Sequence, residues 1–139
     1  MTAACFKDSG YLLTRTQDYA IMSYEIMRKF MEERFLKETE IHRISGCIMA
    51  TKEAGKPTNL LEQIIYDADT YYLDTSEFQQ LHERLFKEKL CRDPGANQQE
   101  FNKETLRKLF THQFYTRHCR QVLNIGKIAS INLMREQLP

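Results

Sequence analysis

Two short segments bring ionisable side chains to places where chemistry could occur. Ala3-Ala4-Cys5-Phe6-Lys7-Asp8-Ser9-Gly10-Tyr11 reads as the last turn of an apolar helix delivering Lys7 and Asp8 to a glycine turn. Ile64-Ile65-Tyr66-Asp67-Ala68-Asp69 repeats the device, with carboxylates at the carboxyl end of a helix. The helix dipole is negative at that end and opposes a carboxylate there. Two acids beside apolar residues therefore call for a compensating cation: a metal, Lys7, Lys52 or Arg43. The plainer reading makes Asp67 and Asp69 turn residues facing water. Spacing alone leaves both readings open.

The remaining reactive types carry less. His42 falls at the start of a helix, His82 on the face opposite Leu81 and Leu85, and His112 and His118 flank Phe114-Tyr115. A zinc set of His112, His118 and Cys119 has loose spacing, so the four histidines read as solvated or capping residues. Phe110, Phe114 and Tyr115 read as core packing, since no basic groove surrounds them to make a base-stacking platform. Met22, Met27, Met31, Met49 and Met134 read as core filler. Cys5, Cys47, Cys91 and Cys119 form no C-x-x-C pair and are too few for a disulfide scaffold, which makes them reduced thiols.

Helices must position these groups. Five glycines, three prolines and abundant Leu, Ile, Met, Glu, Lys and Gln favour helix throughout. Asp18 is a suitable N-cap for a helix to about Leu36 carrying Ile21, Met22, Ile26, Met27, Phe30 and Met31 on one face. Thr39 caps a second, with Ile41, Ile44, Cys47 and Ile48 inward. Asn59 and Glu62 make a capping box for a short buried helix of Leu60, Leu61, Ile64, Ile65 and Ala68. Ser76 opens a helix through Phe78, Leu81, Leu85 and Phe86 that Asp93-Pro94-Gly95 stops. Phe101 to Phe114 marks another, and Val122, Ile125, Ile128, Ala129 and Leu133 the last. The expected fold is all-α, a bundle of about six helices in one domain over residues 1–139.

Charge and hydropathy narrow the partners. Twenty Lys+Arg against 19 Asp+Glu leave a net charge of +1 and no basic field, which argues against nucleic acid. No apolar run approaches the ~18 residues that span a bilayer, and Lys7 and Asp8 interrupt the stretch a signal peptide would need. A cytoplasmic protein without membrane contact is expected.

The order of four segments resembles the HD superfamily of metal-dependent phosphohydrolases, in its small bacterial members. AACFKDSGY at 3–11 matches their A-A-L-F-H-D-x-G-Y/F, and DYAIMS at 18–23 their D-H-E-x-x-S. GCIMATK at 46–52 matches the helix ending in I-x-A-T-K, and NLLEQIIYDADTYYLD at 59–74 matches N-x-L-E-x-I-x-x-D-A-D-x-x-Y-L-G. The stretch from Phe110 to Leu138 looks like the family's closing helices. The resemblance implies a helical bundle whose metal is held by an upstream His, an adjacent His-Asp pair and the second Asp of D-A-D.

Carried over position by position, the metal carboxylates fall on Asp8 and Asp69, as vestigial ligands. The His of the pair is Lys7, the second His-Glu element falls on Tyr19 and Ala20, and the closing glycine is Asp74. The upstream His would lie before Met1, so the chain is expected to lack the family's first helices. Two carboxylates alone hold a divalent ion weakly, and an ammonium beside Asp8 brings positive charge into the space a metal would use. Lys7, Asp8 and Asp69 therefore read as a charge cluster in place of the metal. The competing reading has Lys7 with Lys52 bind a phosphate-containing small molecule directly.

The expectation is a degenerate HD domain with regulatory or interaction function, needing no cofactor and with Lys7, Asp8 and Lys52 as candidate site residues. The alternative is an active phosphohydrolase of nucleotides or other phosphate esters using Mn, Fe, Zn, Ni or Mg. Uncovered apolar surface on Ala3 to Phe6 and on the helices after Asp18 and Asn59 points to a homodimer.

Overall fold

The computed structural model describes residues 2–14, 19–52, 55–123 and 125–138, and every regular element among them is helical. The chain is all-α. Eight α-helices are present among the described residues, against about six expected. Beyond the six, the described residues include the five-residue α1, whose last turn was read in Ala3 to Phe6, and a six-residue helix after Thr116, too short to show an apolar period in sequence. No described helix is long and apolar enough to cross a membrane. The residues group into two compact units, 1–69 and 70–139.

The first unit runs α1 (Thr2–Phe6), a 3-10 turn (Ser9–Leu12), α2 (Tyr19–Glu32), α3 (Glu38–Ala50) and α4 (Leu60–Thr70). Its core is Met27 and Met31 of α2 against Ile41 and Ile48 of α3, with Ala3, Phe6, Tyr24, Leu36 and Ile44 packed around them. The stripe that points inward on α2 is Ala20, Ser23, Met27 and Met31, whereas Ile21 and Phe30 are exposed. Met49, expected as core, is exposed as well.

Several helix ends differ from expectation. The Asp18 cap lies outside the described residues. α2 stops at Glu32, short of Leu36, because Phe35 turns left-handed at φ 55°. There the Leu36 N–H donates to the Met31 carbonyl and the Phe35 N–H to that of Glu32, a Schellman closure. α3 is capped by Lys37 and not Thr39, the Glu40 carboxylate taking the Lys37 N–H at 3.4 Å. The box at α4 forms as expected: the Glu62 N–H donates to Asn59 Oδ1 at 3.1 Å, and the Thr58 N–H to the Glu62 carboxylate at 2.7 Å.

The second unit runs a 3-10 turn (Tyr71–Asp74), α5 (Phe78–Arg92), α6 (Gln98–Thr111), α7 (Arg117–Val122) and α8 (Ile125–Glu136). Leu73, Phe78, Leu109 and Met134 form its main core, and Phe114, Cys119 and Leu123 a smaller one. α5 starts after Glu77 and not Ser76, and ends at Arg92 before Asp93-Pro94-Gly95.

Of the residues expected to mark the last helix, Leu133 packs against the main core, but most of the rest face out. Val122, Ile125 and Ile128 are exposed, and Ser130 and Met134 are the residues it buries. Phe110 is exposed too, while Phe114 is buried. His82 and His112, read as solvated, are inside. The His82 ring lies between Phe78 and Phe101, at 5.7 and 4.8 Å, and its Nε2 pairs with Asn102 Oδ1 at 2.9 Å. His112 Nε2 pairs with Thr70 Oγ1 at 2.9 Å. In both, hydrogen bonds replace water, which is what lets an imidazole enter a core. His42 and His118 are exposed, as expected.

Candidate functional site

α1 ends at Phe6, so the chain leaves the helix at Lys7-Asp8 and turns through Ser9–Leu12. Two hydrogen bonds from one residue set this turn against α2. Ser23 Oγ, fully buried, donates to the Lys7 carbonyl at 2.9 Å and accepts from the Gly10 N–H at 2.8 Å. Gly10 is required here, because a side chain would run into the Tyr19 carbonyl and the Ser23 N–H group.

The turn aims Lys7 at the carboxyl end of α4. Its Nζ lies 2.5 Å from Asp8 Oδ2 and 2.6 Å from Asp69 Oδ1. The Lys7 and Asp69 side chains are 19% and 26% exposed, so this pair is largely withdrawn from water, while Asp8 at 59% faces it. Burial opposes the Lys7 ammonium, but its hydrogen bonds to Asp69 and Asp8 outweigh that and hold its pKa above the usual lysine value. The cation also answers the unfavourable dipole at the end of α4.

Tyr19, the first residue of α2, completes the cluster. Its ring stacks on Tyr11 with centroids 3.9 Å apart. Burial raises the Tyr19 phenol well above the ordinary value, and Tyr11, Asp8 and Asp69 add to the shift. It is a neutral hydroxyl at any physiological pH and supplies no imidazole nitrogen.

The structure thus brings Lys7, Asp8 and Asp69 together. Lys52 lies in the turn after α3 and forms no ion pair with Asp8 or Asp69. Asp67 does not face water. It is 1% exposed, because α4 turns Asp67 inward and leaves Leu60, Leu61 and Ile64 outside, against the buried helix expected there. His112, His118 and Cys119 do not assemble. Among the described residues no group of three or more His, Cys, Asp or Glu side chains is arranged to hold a metal. The sequence reading missed Ser23 as the residue that fixes the turn, although a small polar residue in phase with Ala20, Met27 and Met31 signals an inward hydroxyl needing partners.

The donor set does not fit the metal that the HD resemblance implies. The place between Asp8 Oδ2 and Asp69 Oδ1 is taken by an ammonium bonded to both, and the neighbouring α2 residues are Tyr19 and Ala20. Comparison of the chain with family models, curated proteins and solved structures returns no match.

Proposed function

We propose that this chain is an HD-like helical module in which Lys7 stands in for the metal, and that it acts by association and not by hydrolysis. The observation that carries the reading is the double bridge from Lys7 Nζ to Asp8 and Asp69. Hydrolysis of a phosphate ester needs a centre that neutralises the phosphoryl oxygens and activates water. The ammonium takes the place between the two carboxylates where a divalent ion would bind, and the net negative charge of the three groups repels a phosphate. The same bridge disfavours direct phosphate binding by Lys7, whose charge is already satisfied by Asp8 and Asp69. We place the module in the cytoplasm, where its four unpaired thiols stay reduced. The partner we propose is a second copy, through the exposed apolar residues of α2 and α4.

The deciding experiment is calorimetric titration and thermal unfolding with Mn, Fe, Zn, Ni and Mg salts in turn. A ligand specific for the folded state at ~100 times its Kd adds about 2.7 kcal/mol. We expect no heat of binding and no shift in Tm. Stoichiometric uptake with a rise of several degrees would overturn the proposal and support a phosphohydrolase with a rearranged ligand set.

A further inference from the structure

The 3-10 turn Tyr71–Asp74 ends on a carboxylate that is only half partnered. Asp74 is 9% exposed. It accepts the backbone N–H groups of Gly126 and Lys127 in the first turn of α8, groups that a helix cannot satisfy internally. Gly126 lies so close that any side chain there would strike Asp74 Oδ1 and the Asp74 carbonyl. Oδ2 is buried with no hydrogen-bond partner among the described residues. A carboxylate charge with one buried oxygen unpaired is costly, and a neutral carboxyl at the same place costs less while its other oxygen still accepts the two N–H groups.

The charged surroundings do not remove this cost. Lys127, on α8, is the charged group that acts on Asp74, but its ammonium donates to the His112 carbonyl and forms no ion pair with the carboxylate. α5, which also packs against Tyr71–Asp74, contributes no charge that acts on it. Burial pushes the Asp74 carboxyl above its ordinary value, against the two N–H groups and Lys127, which pull it down; burial also pushes the Lys127 ammonium down.

We infer that Asp74 is an acid-strengthened latch on α8, holding the first turn of the helix more firmly when protonated than when ionised. When α8 opens, Asp74 meets water and its carboxyl returns to the ordinary value of 3.8. The docked form therefore holds the proton more tightly than the open form. The latch is at full strength below pH 3.8 and weakens as pH rises through the higher docked value.

Amide hydrogen exchange of the full chain between about pH 4 and about pH 7, corrected for intrinsic rates, reads this directly. Protection over 126–130 should fall with rising pH by about tenfold for each unit by which docking raises the carboxyl, and Asp74→Asn should abolish that fall. A wild-type profile that is flat or rises with pH, or a fall that survives in Asp74→Asn, overturns the inference. Should the variant not fold, the carboxyl carbon of Asp74 in the wild-type chain is titrated by NMR. A midpoint above 3.8 supports the latch, and one at or below 3.8 overturns it.

Discussion

Lys7 joins two parts of the first unit that are far apart in sequence, the turn after α1 and the end of α4. Replacing it by Met would leave two carboxylates facing each other without their cation. Because Asp8 is well exposed, water screens part of this, and we expect a loss of about 1–3 kcal/mol in urea denaturation. The pKa direction gives a second readout. A lysine raised in the folded state contributes stability in full below its ordinary pKa of 10.5 and loses it as pH climbs through the folded value. Above pH 10.5 the wild type should therefore lose more stability than Lys7→Met, and parallel pH profiles would refute the role given to the bridge. Lys7→His restores a His-Asp pair at 7 and 8, yet we expect at most weak metal uptake, since Tyr19 still offers no nitrogen. Tight uptake by that single variant would show the ligand set to be misjudged. Ser23→Ala leaves the Gly10 N–H and the Lys7 carbonyl without their partner and should cost about 1–3 kcal/mol.

Among the elements, the end of α2 is the least comfortable. Phe35 occupies the left-handed position of a Schellman closure, where glycine is usual, and its ring is 94% exposed. An L side chain pays about 1–2 kcal/mol for that conformation, and glycine loses roughly 0.5–1 kcal/mol of chain entropy in adopting it. Phe35→Gly should therefore stabilise the chain by about 0.5–1 kcal/mol, seen as a higher urea midpoint with unchanged slope. A lower midpoint would mean that the Phe35 ring contributes contacts in solution. In the second unit, α5 and α6 are joined by a polar core. His82 meets Asn102, which also accepts from Gln98 Nε2 at 2.8 Å, while Phe78 and Phe101 cover the two faces of the imidazole.

At the scale of the whole molecule, each unit has its own apolar cluster, and neither half of the charge balance sets up a field that would keep copies apart. Exposed Leu60, Leu61 and Ile64 make an uncharged stripe along α4, and Ile21 and Phe30 lie exposed on α2. A two-fold contact between copies covers such surface on both at once. Sedimentation at micromolar concentration should give about twice the chain mass of 16.5 kDa, and Ile64→Glu should lower it to one chain. A single species of 16.5 kDa for the wild type would reject self-association.

Where the longer helices form, and some of their breaks, was legible in the residues alone. Helix formation, capping at Asn59 and termination at Asp93-Pro94-Gly95 are local events, decided within a turn or two of chain. The residues alone called for a cation beside Asp67 and Asp69 and left a metal, Lys7, Lys52 and Arg43 open; the resemblance singled out Lys7, Asp8 and Asp69, and the fold bonds Lys7 to Asp8 and Asp69 while turning Asp67 inward. What tertiary structure decided was which face of each helix goes in. In α4 and α8 apolar residues lie on more than one side, so periodicity offers several stripes of similar strength. Packing chose Asp67 and Met134 and left Ile64 and Ile128 outside. The buried imidazoles of His82 and His112 and the half-partnered Asp74 follow from the same choice. Their partners, Asn102, Thr70 and Gly126, are 20 to 52 positions away, and only the folded chain brings them within reach.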